Sequence, residues 1–353
     1  MSVRLKVLAA GLAVAAACGA PAMSAAATSL RSRVFADGAK LKLSSPDDLT
    51  LLGDSIFAGF QNGVGAQGQP STTGNRDSTI VEFTPKGNVV RRWRIVGKCD
   101  GLGADPATGR VVATVNEDGN SSLYVINPRG AAVHYRYSKL LRHHGGTDAV
   151  TFYNGSLLIS ASAPGTTGAS APQAAYPAVY RVTFDDLTRA ATAHPVFYDE
   201  AKATNAITHK RTKLGLTDPD SSNAVPSFVP RFGGEFMLNS QGDQQEIFLK
   251  GRSLTVLPLS TSVDDAAFPS DANGSLLVTD NHGDKIYRIT GHFRRGSALV
   301  ADTPCNANSA PSTCPAPGFA SNSLAELNLR TGKVTPLTIN GAQPAAQGLL
   351  YVP

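Results

Sequence analysis

From residue 30 onward the chain is filled by short runs in which apolar and polar residues alternate. Each run is closed by a turn rich in Gly, Asn or Asp. A period of two bounded by such turns predicts β-strands. In Asp264 to Thr290, DDAAFPSDANGSLLVTDNHGDKIYRIT, an acidic pair precedes an apolar run, a Gly turn, a second run, another turn and a third run. Three consecutive strands are predicted there. The same grammar starts at Asp48, Asp100 and Asp148, and a degenerate copy begins at Ser221. Repeats of short strands spaced by roughly 45–75 residues predict radial repetition around an axis. No helical period of useful length separates the runs, which excludes a doubly wound fold.

The expected fold class is therefore all-β, a six-bladed β-propeller, with five or seven blades also compatible. Blade one holds 48–52, 55–61, STIVEFTP and NVVRRWRIV. Blade two holds GLGAD, RVVATVN, SSLYVIN and AAVHYRYS. Blade three begins at Asp148 and carries a Gly/Ala/Ser/Pro insertion over 163–177. Residues 200–217 read as a link with room for a short helix. Blade four has Pro219, Pro226 and Pro230 in its first strand, and Asp264–Thr290 opens blade five. Blade six is assembled from SALVAD, SLAELNLRTG and KVTPLTI. RSRVFADG near the start and AAQGLLYVP at the end are expected to close the ring with strands from both termini, which removes a free edge.

Composition narrows the class. The chain has 353 residues, 42% hydrophobic and 17% charged, with a formal net charge of +5. Its basic residues are scattered and no nucleic-acid-binding motif accompanies them, so no nucleic-acid partner is expected. Arg4 and Lys6 followed by an apolar run over 7–17 and small-residue cleavage sites predict a signal peptide, residues 1–27, cleaved after Ala27. Residues 28–353 are then one propeller domain, secreted or held in the periplasm or cell envelope, with no transmembrane segment, as a monomer. Lipidation at Cys18 is the alternative to cleavage after Ala27. In an oxidising compartment Cys305 and Cys314 are the natural disulfide. Cys99 is left over, either a buried apolar thiol or a functional one.

In a propeller the loops entering the first strand and leaving the second strand of each blade open on one face, toward the channel. The entering positions are Asp48, Asp100, Asp148, Asp220, Asp264 and Asp265; leaving positions include Asn116, Glu117, Asn239, Asp280, Asn281 and His282. Oxygen donors converging from several blades suit a hard cation, Ca²⁺ or Mg²⁺. Asp48, Asp100, Asn116, Glu117 and Asp265 are the candidate metal ligands. Asn239, Asp280, Asn281 and His282 are candidate contacts for a small molecule in the channel. Asp before a strand equally serves Asx turns.

This arrangement resembles the six-bladed propellers of the gluconolactonase and senescence-marker-protein superfamily, and more loosely NHL-repeat propellers. The resemblance implies a cation in the channel on a Glu, an Asn and an Asp, with an Asp assisting water attack on a sugar lactone. Asn116-Glu117 and Asp264-Asp265 stand in broadly matching places, and Asp48 stands where the first Glu would be sought. A metal-dependent, lactonase-like hydrolase with Asp264 or Asp148 as general base is the function so implied. The rival is a non-catalytic binding propeller of the cell envelope. Gly53-Asp54-Ser55 also resembles the nucleophile block of GDS-type esterases. Its partner motifs are missing, and the repeat places it at a hairpin turn, beside Thr108-Gly109, Asn154-Gly155 and Asn273-Gly274.

Overall fold

The computed structural model describes residues 29–165, 175–315 and 318–353. The expected signal peptide, Cys18 and most of the insertion over 163–177 lie outside the described residues. The chain opens with β1 (Leu30–Asp37) and one helical turn, α1 (Gly38–Leu41), capped by the Asp37 carboxylate. Blade one is β2 (Pro46–Leu52), β3 (Ser55–Phe60), β4 (Asp77–Phe83) and β5 (Val89–Val96). Blade two is β6 (Cys99–Asp105), β7 (Arg110–Val115), β8 (Ser122–Ile126) and β9 (Ala132–Tyr137). Blade three is β10 (Val150–Tyr153), β11 (Ser156–Ser160), β12 (Pro177–Asp185) and β13 (Ala190–Tyr198). All pair antiparallel in sequence order, and β9 meets β13 in a short parallel bridge that joins blades two and three.

The stretch over 200–217 holds two short strands, β14 (Lys202–Asn205) and β15 (Arg211–Lys213), instead of a helix. They extend the outer edge of blade four, which is β16 (Pro219–Ala224), β17 (Phe236–Ser240), β18 (Gln245–Lys250) and β19 (Ser253–Pro258). Lys-Ala-Thr-Asn offers no apolar helical face, while an open strand edge offers hydrogen bonds. Pro219 opens its strand, a position where a missing N–H costs little.

The stretch Asp264–Thr290 differs from expectation. β20 (Val263–Ala267), β21 (Ser275–Asp280) and β22 (Lys285–Thr290) are strands, but β20 lies in a different sheet from the other two. β20 pairs with β23 (Ala298–Asp302), which continues to β24 (Ser323–Leu327) and β25 (Val334–Pro336), forming blade five. The β21–β22 hairpin belongs to blade six, between β27 (Ala346–Val352) on the inside and β1 on the outside, with β26 (Ile339–Asn340) at the edge. Asn273-Gly274 therefore lies in a crossing between blades. Strands from both ends of the chain close blade six, as expected.

The innermost strands β2, β6, β10, β16, β20 and β27 neighbour one another in a closed cycle. Alternation explains the ring. In β7, Val111, Ala113 and Val115 face blade one and Val112 faces blade three; in β17, Met237 faces blade five and Phe236 and Leu238 face blade three. Each blade is thus apolar on both faces, and six hydrophobic cores form, one between each neighbouring pair. Cys99 is buried in the core between blades one and two, where burial pushes its thiol well up; the functional-thiol alternative has no support there. Among the described residues no helix is long and apolar enough to cross a membrane.

Candidate ligand site in the central channel

The channel is shaped by a local irregularity repeated around the ring. The inner strands of blades one, two, four, five and six each shift register by a bulge near their start, leaving two residues unpaired with the second strand. The pairs are Asp47-Asp48, Asp100-Gly101, Asp220-Ser221, Asp264-Asp265 and Gln347-Gly348. Blade three offers Asp148-Ala149 just before β10. A bulge turns a side chain out of the alternation and re-aims it. The first residue of all six pairs lines one cavity of about 950 Å³: Asp47, Asp100, Asp148, Asp220, Asp264 and Gln347.

The second residue of each pair holds the distortion. Asp48 accepts from Leu49 N (2.6 Å) and, across the blade boundary, from Leu102 N (2.6 Å). Asp265 repeats this with Ala266 N (2.6 Å) and Leu349 N (2.7 Å), and also accepts from Asn223 Nδ2. In three other blades a second-strand hydroxyl takes the bulged N–H. Thr114 Oγ1 accepts from Gly101 N (2.9 Å), Ser160 Oγ from Ala149 N (2.8 Å) and Thr279 Oγ1 from Gly348 N (2.6 Å). A Cβ on Gly101 would strike the Asp148 carbonyl, and one on Gly348 the Asp47 carbonyl, so both positions require glycine.

Second-strand exits supply amides to the ring. Gln61 Nε2 donates to Asp100 Oδ1 (3.0 Å), and Asn281 Nδ2 donates to Gln61 Oε1 (3.3 Å). Gln241 Nε2 donates to Asp264 Oδ2 (3.0 Å), which also accepts from Gln347 Nε2. Lys98 pairs with Asp100 Oδ1 (2.9 Å) and with Glu117. Asp148 and Asp220 form a hydrogen-bonded carboxyl pair. One buried oxygen of the ring, Asp100 Oδ2, has no partner among the described residues.

Eight carboxyl side chains and one lysine line the cavity. Burial, joined in most of them by mutual repulsion, pushes the aspartates of this set up. Asp47 rises to about 7, held back by Lys98; Asp265 rises to about 6, its backbone donors opposing burial. Asp100, Asp148, Asp220 and Asp264 stand well above the ordinary carboxylate range, burial first, then Glu117, Asp220, Asp264 and Asp47 respectively. Burial works against the Lys98 charge, but Asp100, Glu117 and Asp47 together push it well above its ordinary value.

The structure brings together Asp48, Asp100, Glu117, Asp148, Asp264, Asp265 and Asn281 around this cavity. It does not bring the remaining expected residues there. Asn116 is spent on backbone, accepting from Lys98 N (2.9 Å) and donating to the Asn120 carbonyl (3.0 Å). Asn239 is buried inside blade four against Glu246 (3.2 Å). Asp280 caps its own turn through Gly283 N (2.6 Å), and His282 is exposed beside it. Asp47, Lys98, Gln61, Gln241 and Gln347 escaped sequence reasoning. The two Asp-Asp doublets held the missing signal: superposed, they pair Asp47 with Asp264 as channel residues and Asp48 with Asp265 as braces.

The donors are all oxygen, which suits a hard cation chemically, but their arrangement does not fit one. Among the described residues no group of three or more His, Cys, Asp or Glu is gathered to hold an ion. Asp48 and Asp265 are engaged by backbone N–H groups, and the Lys98 ammonium occupies the place between Asp100 and Glu117.

No protein-family profile matches the chain, and no curated protein is similar to it in sequence. Many solved structures are similar in shape. One, a protein of unknown function from Bacteroides thetaiotaomicron, is 11% identical, covers 90% of this chain and 68% of its own, with a TM-score of 0.47. A provisionally assigned gluconolactonase is 12% identical over 78% of this chain and 89% of its own, TM-score 0.41. A streptogramin B lyase is 11% identical over 75% and 98%, TM-score 0.36. No activity is carried across from them, because a shared ring hosts unrelated chemistries.

Proposed function

We propose that the protein works through its central channel as a receptor for a small molecule, outside the cytoplasm. One observation carries this reading: six first-strand positions, one per blade, aim polar side chains into a single cavity of about 950 Å³. Such a volume, with polar groups converging from every blade beside apolar residues such as Leu51, Phe152 and Leu350, is that of a small-molecule site. The leader and the Cys305–Cys314 disulfide support an oxidising location. Cation-dependent hydrolysis is not the first choice, because the expected ligand set is not assembled. The test is a thermal-shift screen of the mature chain against a broad small-molecule library. A saturating ligand raises the melting temperature by mass action. Ala224→Trp, at an exposed position lining the cavity, should abolish the shift. A library in which no compound gives a shift sensitive to that substitution refutes the reading.

A second reading has one specific observation behind it. Asp148 and Asp220 form a hydrogen-bonded carboxyl pair at the cavity wall, and two carboxyls sharing one proton are what general acid–base hydrolysis of a lactone needs. Hydrolysis of aldonolactones by the wild type, insensitive to chelator and lost in Asp148→Asn, would establish it.

A further inference from the structure

Resting on the channel reading above, we infer that the ligand is an organic amine, its ammonium head beside Asp100 and its apolar body along the channel wall. Asp100 is 3% exposed and lines the cavity. Its Oδ1 is taken by Lys98 and Gln61, while Oδ2 has no partner among the described residues. A buried carboxylate oxygen left so is costly; Oδ2 is sealed where it stands, and a turn of the Asp100 side chain toward the cavity brings it to a donor there.

Charge chooses among donors. Eight carboxyl groups face one lysine, so although several stand above the ordinary carboxylate range, negative charge in the lining has little to balance it. A hydroxyl compound brings hydrogen bonds without offsetting that charge; an ammonium brings both. The chain already contains one such solution, since the Lys98 ammonium sits between Asp100 and Glu117. A bare divalent ion would need several carboxylate oxygens at one point, and those oxygens are engaged with glutamines, backbone and each other. Further along the inner strands the wall turns apolar, with Leu51, Phe152 and Leu350. A ligand spanning both zones has a charged head and a hydrocarbon body.

The experiment is isothermal titration of the mature protein at neutral pH with phenethylamine and hexylamine. Phenethyl alcohol, hexanol, phenylacetate, gluconolactone and calcium chloride are run as parallel arms. The amines should bind and the alcohols and the acid should not. Asp100→Asn should weaken amine binding about tenfold or more, whereas Lys98→Met, which removes the built-in competitor, should strengthen it about tenfold. Opposite signs from two buried substitutions are not what a general loss of fold produces. Glu200→Gln, in a surface ion pair with Lys213, should leave binding unchanged. Saturation by the lactone or by calcium, blocked by Ala224→Trp and without amine binding, overturns the amine assignment while the channel reading stands. Weakening by Lys98→Met also overturns it. Absence of channel binding by every compound in both this series and the library overturns both.

Discussion

Glu246 lies fully buried between blades four and five, paired with Asn239 across β17 and β18. Asn239 Nδ2 donates to Glu246 Oε1 (3.2 Å), while Asn239 Oδ1 and Glu246 Oε2 have no partner among the described residues. Two buried acceptors side by side are both satisfied by one proton on Glu246, which closes a cyclic acid–amide pair. Burial, with a smaller contribution from Asp265 and against the Asn239 bond, pushes the carboxyl from 4.5 to about 8. Below pH 4.5 the folded and unfolded chains both hold the proton and nothing is lost. Between 4.5 and 8 the unfolded chain releases it and the folded chain does not, so stability falls as pH rises, then levels off above 8. At about 1.4 kcal/mol per pH unit, Glu246 costs about 3 kcal/mol at neutrality and about 5 kcal/mol by pH 9. Glu246→Gln keeps the shape and supplies a permanent donor to Asn239 Oδ1. Urea unfolding of both proteins across this pH range gives the difference directly. The variant should gain steadily on the wild type from acid to alkaline pH and be several kcal/mol more stable at the top. A pH-independent difference, or a variant less stable in alkali, refutes the shared-proton pair.

Three further outcomes follow from the same geometry. Asp265→Ala releases Ala266 N and Leu349 N at the boundary of blades five and six, and should cost about 2–4 kcal/mol in urea unfolding; a loss below about 1 kcal/mol would show that the bulge stands without its brace. Replacing Cys305 and Cys314 by Ser frees a short loop and should cost about 2–3 kcal/mol, reproduced in the wild type by reductant; unchanged melting would contradict this. Amine affinity should rise between acid and mildly alkaline pH as Asp47, pushed to about 7, ionises; a flat profile would remove Asp47 from the binding charge.

Blades one and two were legible in the chain because their four strands are consecutive, evenly spaced and joined by turns such as Gly53-Asp54 and Thr108-Gly109. The exchange between blades five and six was not. A strand, a short loop and another strand read the same whether the loop turns back or crosses to the next blade. Only the remote strands, β23 and β27, decide the pairing of β20 and β21. The acid-lined channel was visible as recurrent aspartates, yet one-residue precision failed at Asp47-Asp48. A shift of one position exchanges a channel side chain for a brace, and that register is set by bulges that period-two patterns do not encode. Lys98, next to a buried cysteine, carries no local signal of its contact with Glu117.

The account rests on the first residue of each inner-strand pair facing one axial cavity, and on the inference that the unpartnered Asp100 oxygen turns to meet a cationic head there. A crystal structure of the protein soaked with phenethylamine tests this most directly. It should show the amine nitrogen within hydrogen-bond distance of Asp100 Oδ2, ringed by Asp47, Asp148, Asp220 and Asp264. Aspartates turned onto separate surfaces, or an amine seated outside the ring, would contradict it.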